Sequence, residues 1–137
     1  MIYVFKTFFR FRLFSNEKFL MEKLSFVFLL REDSQWNQLF SHVENLKKSA
    51  DEVGDIVVVA VGTALLSCLK RTNMRSLQET IARLSEDHVQ YYLSINTMSR
   101  YGIDEEMLLP QIAVAREGGL LKAAKFESRG YHLITLG

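Results

Sequence analysis

From Met21 onward the chain alternates short, continuously apolar runs with amphipathic stretches. "LSFVFLL" (24–30) has no polar side, which is the pattern of a strand covered on both faces. "REDS" follows it and offers Asp33 or Ser34 as a helix cap. Over the next residues Trp36, Leu39, Phe40, Val43 and Leu46 recur with the 3.6-residue period of a helix, and Gly54 offers its C-cap. "DIVVVAV" (55–61) is the strongest strand signal and ends at Gly62. "TALLSCLK" and "SLQETIARLSED" both read as helices, the second with Leu77, Ile81 and Leu84 on one side.

"HVQYYLS" (88–94) is a third strand, ending in a hydroxyl at Ser94. "NTMSRYG" leads from it to Asp104, which caps a short helix stopped at Pro110. "QIAVA" (111–115) is a fourth strand, "GGLLKAAKFESRG" a helix closed by Gly130, and "YHLITL" a fifth strand. The order βαβααβαβαβ, with apolar strands and long crossovers, predicts an α/β fold. It is a three-layer α/β/α domain around a mainly parallel five-stranded sheet, spanning 21–137. Val27, Val57, Val58, Val59 and Tyr92 are expected in or near its core.

Residues 1–20 read differently. Four basic residues stand there against one acidic residue, among many phenylalanines, and Phe9, Phe11 and Leu13 alternate with Arg10 and Arg12. Arg10 and Arg12 interrupt what a signal peptide or a membrane span would need. The expectation is an N-terminal extension outside the domain, with Met21 as the start of the folded part.

Composition narrows the function classes. A chain of 137 residues that is 48% apolar and 24% charged is large enough for one real core. The net charge of +1 supplies no footprint for nucleic acid or for an anionic membrane. Cys68 is the single cysteine, which fits a reducing cytoplasm and excludes an internal disulfide. His42, His88 and His132 stand far apart without ligand spacing, so no metal site and no cofactor are expected.

In open parallel sheets ligands gather beyond the carboxyl ends of the strands. That rule points to Arg31, to Gly62 and Thr63, to Ser94, Asn96, Thr97 and Met98, and to the residues from Arg116 to Gly119. No nucleotide-binding glycine motif is present, and Gly62 reads first as a turn. The acidic run 104–106 suits a helix first turn. Ser94 lacks a nucleophile elbow and a base placed by sequence, so its hydroxyl, with Asn96 and Thr97, serves backbone groups at the strand-to-helix junction. Cys68 reads as a small buried hydrophobe.

Several stretches together resemble the DsrE-like family of sulfur-relay proteins (the DsrE, DsrF and TusD type). They are Asn45 and Leu46, "VVVAVG" (57–62), "YYLSINTMSRYGI" (91–103) and "GGLLKAAKFESRGYHLI". The family reads in the third stretch as an apolar strand, a cysteine, two residues, Thr-Met and then Gly-Ile. In relaying members that cysteine takes up a persulfide; here Ser94 stands in its place, and a hydroxyl forms no S–S bond. Val61 also stands where a histidine is frequent, and Glu127 where a glutamine is. The resemblance implies the fold, a cytoplasmic location, homo-oligomeric assembly and other sulfur-relay proteins as partners. With the cysteine absent, it implies a non-catalytic binding or partner subunit. The alternatives are a sulfur carrier using Cys68 and a small-anion-binding protein.

Overall fold

The computed structural model describes residues 23–71 and 74–136. The predicted extension, including Phe9, Phe11 and Leu13, lies outside the described residues. The strands are β1 (Leu24–Leu30), β2 (Val53–Ala60), β3 (Gln90–Ser94), β4 (Ile112–Ala115) and β5 (His132–Thr135). They form one sheet in the order β4-β3-β2-β1-β5. Every pairing is parallel, with Val27 opposite Val57, Tyr91 opposite Ile112 and Phe28 opposite Ile134. The helices are α1 (Trp36–Lys47), α2 (Arg75–Glu86), α3 (Ile95–Tyr101) and α4 (Gly119–Ser128). Among the described residues, no helix is long and apolar enough to cross a membrane.

The continuous apolar strands have the cause their pattern predicts, because both faces are covered. On one face Phe28, Leu30, Val58, Ala60 and Leu93 pack with Trp36, Leu39 and Val43 of α1 and Leu77, Ile81 and Leu84 of α2. On the other, Val27, Leu29, Val57 and Val59 meet Ala123 and Phe126 of α4. Half-buried Tyr92 packs on this second cluster. Each fully buried valine of β2 contributes roughly 1.5–3 kcal/mol of apolar transfer energy, so the central strands anchor the fold.

Local boundaries depart from the periodic reading in four places. Gly54 does not cap α1, which ends at Lys47 through a turn without glycine. Gly54 lies inside β2, where Ser25 of β1 comes so near that a Cβ would stand 2.8 Å from its Oγ. Asp33 and Ser34 do not cap α1 directly. A 3-10 turn (Asp33–Gln35) intervenes, entered from Glu32, whose N–H donates to Gln35 Oε1 at 3.2 Å. "NTMSRYG" is not a connection, because α3 begins immediately after Ser94. Beyond Asp104 there is only a 3-10 turn, Glu105–Met107, with no side-chain cap.

Candidate functional site

β3 and β4 are neighbours, with Ser94 opposite Ala115 at their carboxyl ends. Beyond those ends the chain diverges. α3 follows β3 onto the face of the larger core, where Met98 is buried. α4 follows β4 onto the opposite face, where Ala123 and Phe126 are buried. Two adjacent strands whose exits part to opposite faces leave a crevice between them, the topological position where α/β sheets hold ligands. A pocket of about 480 Å³ occupies it, lined among others by Arg31, Val61, Ser94, Asn96, Thr97 and Glu117.

Ser94 sits at the bottom, 2% exposed, and its Oγ accepts the Gly119 N–H at 2.9 Å. Thr97, 7% exposed, makes the matching contact on the other side, its Oγ1 accepting the Gly62 N–H at 3.1 Å. Both hydroxyls therefore serve as acceptors for backbone donors outside their own helix. The close approach depends on glycine. A Cβ on Gly119 would stand 2.5 Å from Val61 Cγ1 and 2.9 Å from Ser94 Cβ. One on Gly118 would stand 2.9 Å from Asn96 Nδ2, on a backbone with φ of +96°.

Charge enters the pocket from Arg31 and Glu117. The Glu117 carboxylate lies 3.8 Å from Lys122 Nζ and 3.4 Å from Lys125 Nζ. A hydrogen bond from its own backbone is the main cause holding this carboxyl below its ordinary pKa; burial opposes it, and Lys125 and Lys122 add to the lowering. Lys122 Nζ is also held 4.4 Å over the Tyr92 ring, a cation–π contact that limits its reach.

The fold brings Arg31, Ser94, Asn96 and Thr97 into one pocket, as the strand-end argument requires. Gly62 does not line the pocket but supports it, through its N–H to Thr97 and by lying so close to Arg31 that a Cβ would stand 2.6 Å from the Arg31 carbonyl oxygen. Thr63 is exposed outside it and accepts the Asp33 N–H at 3.3 Å. Met98 is 3% exposed in the larger core and faces away. Cys68 is also remote, 1% exposed at the end of the 3-10 segment Gly62–Cys68, with Ala64 O as its thiol's acceptor at 3.7 Å. Burial, and secondarily the Asp33 carboxylate, push that thiol far above its ordinary pKa. Glu117, Gly118 and Gly119 were within reach of the strand-end rule, and the glycine pair was their signal. Leu120 and Leu121, exposed at the rim, carried none. Ser94 has no histidine or carboxylate partner among the described residues; its contact is an N–H donor, which does not make a serine nucleophilic.

Comparison with known proteins bears on the family and the fold. The model of the DsrE/DsrF-like family matches residues 24–136. A protein of unknown function, MTH1491, from Methanobacterium thermoautotrophicum superposes with a TM-score of 0.75 at 23% identity, over 83% of this chain and 100% of that one. The ychN protein from E. coli gives 0.65 at 14% identity, over 82% and 100%. A conserved protein of unknown function, BT1422, from Bacteroides thetaiotaomicron gives 0.58 at 14% identity, over 80% and 93%. At these identities the structures share the fold with this chain. No curated protein sequence matches it.

Proposed function

The chain belongs to the DsrE/DsrF-like family, and from that premise we propose that it is a non-catalytic binding or partner subunit in sulfur relay, holding its ligand without a covalent bond. One observation carries this reading. The strand-end position from which a thiol would act is occupied by Ser94, buried and already engaged by the Gly119 N–H. An alcohol oxygen forms no S–S bond, so sulfane sulfur has nowhere to reside at the bottom of this pocket. Cys68 is a poor substitute, since the thiolate is the attacking species and burial disfavours it there. The reading includes a cytoplasmic, homo-oligomeric protein that meets other relay components at the open end of the sheet.

Two measurements test it. The intact protein is incubated with a sulfane donor and weighed, with no gain of about 32 Da, one sulfur atom, expected. Light scattering and co-purification are expected to give a closed oligomer, alone or with sulfur-relay proteins. A stable persulfide on the chain, or a protein that stays a solitary monomer, would refute the proposal.

A further inference from the structure

The hydrogen-bond balance of the pocket suggests what it holds. Ser94 and Thr97 are both more than nine-tenths buried, and each uses its oxygen to accept a backbone N–H. A hydroxyl that accepts still has its own proton to donate. Neither proton has an acceptor among the described residues, although both side chains line the pocket. Buried donors of this kind are rarely left unmet.

The backbone adds to the imbalance. α4 opens into the same pocket, and its first intrahelical bond runs from Lys122 N to Gly118 O. Gly119 N is taken by Ser94, but the N–H groups of Leu120 and Leu121 have no acceptor among the described residues. The N-terminal end of this ten-residue helix also carries the positive end of its dipole. Arg31 contributes a guanidinium whose side chain has no bond to the protein among the described residues. The one carboxylate in the lining, Glu117, is countered by Lys122 and Lys125. Asn96 adds an amide with both a donor and an acceptor end. Donors thus outnumber acceptors in the lining, where the Asn96 amide oxygen and Glu117 are the side-chain acceptors besides the hydroxyls.

We infer that the pocket binds one small tetrahedral oxyanion, its oxygens taking the Ser94 and Thr97 hydroxyls, the Leu120 and Leu121 N–H groups and the Arg31 guanidinium. This rests on the reading of the pocket as a non-covalent binding site and names its ligand class. Sulfur oxyanions and phosphate share the chemistry, and Glu117 separates them. A fully deprotonated sulfur oxyanion is repelled by this carboxylate, whereas phosphate can give it a proton.

Titration calorimetry at low ionic strength, where charge is least screened, uses thiosulfate, sulfate and phosphate as probes and chloride as the ionic control. Saturable binding of one oxyanion per chain is expected, weakened about tenfold in Arg31→Gln, which removes a charge-assisted bond from an exposed position. Thr97→Val is expected to weaken it further, with its thermal melt recorded because Gly62 N–H loses its acceptor. Glu117→Gln is expected to tighten thiosulfate and sulfate if they are the ligands, and to weaken phosphate if it is. No saturable binding beyond chloride, or affinity unchanged in Arg31→Gln, would overturn the inference. The mass measurement under a sulfane donor keeps the two claims apart. A chain without persulfide that binds no oxyanion defeats only the ligand assignment, whereas a persulfide defeats the non-covalent reading itself.

Discussion

Gly119 leaves no room for even one methyl group, since its added Cβ would press on Val61 and on Ser94. Gly119→Ala must therefore push α4 away from the strand ends or break the 2.9 Å contact with Ser94. The expected loss is about 1–3 kcal/mol, the usual range for overpacking, read as a lower midpoint in a urea melt. An unchanged midpoint would mean that α4 lifts off the sheet at no cost. Ser94→Cys probes the same contact chemically. The Gly119 N–H and the start of α4 favour a thiolate there, while burial opposes it. With Cys68 replaced by Ala, the new thiol is expected to titrate below the free value of about 8.5. Its alkylation rate against pH measures this, and a value at or above the free one would show burial prevailing.

At the scale of elements, α1 and the 3-10 segment Gly62–Cys68 depend on one another. Trp36 is fully buried and its Nε1–H donates to Ala64 O at 3.0 Å, across 28 residues of chain. Trp36→Phe shrinks the buried ring and removes this donor, leaving Ala64 O the weaker Cys68 thiol contact at 3.7 Å. A loss of about 1–3 kcal/mol is expected from the lost hydrogen bond and the lost packing together. Cys68 is on the same segment, so its labelling by a thiol reagent is expected to quicken. The elements also explain where periodicity fell short. α3 has seven residues, of which only Thr97 and Met98 are buried, too few to show a helical stripe. α2, with Leu77, Ile81 and Leu84 buried, shows one plainly.

For the whole molecule, α1 and α2 pack on one face of β1 and β2 and α4 on the other, all among the described residues. Deletion of residues 1–20 is accordingly expected to leave the melting temperature within a few degrees, a change of about 1 kcal/mol or less. A much larger fall would show that Phe9, Phe11 and Leu13 contribute to the fold or to an interface. The order β4-β3-β2-β1-β5 makes the last crossover run the width of the sheet, from one edge strand to the other. Its helix, α4, brings its first turn to the end of β3 and so closes the pocket.

The strands and the amphipathic helices were legible in the chain because each depends on its own run of side chains. β2 is apolar wherever it lies buried, and α2 repeats its leucine and isoleucine positions every three to four residues. The strand ends were legible for the same reason, and with them Arg31, Ser94, Asn96 and Thr97 as candidates. Only the tertiary structure decided which of those ends meet. Ser94 and Gly119 are 25 residues apart and Gly62 and Thr97 are 35, and no local pattern relates them. Their contacts follow from strand order and from the parting of α3 and α4 to opposite faces. The same physics put Thr63 and Met98 outside the pocket, because which side of the sheet a side chain takes is settled by what packs against it rather than by its place in the chain.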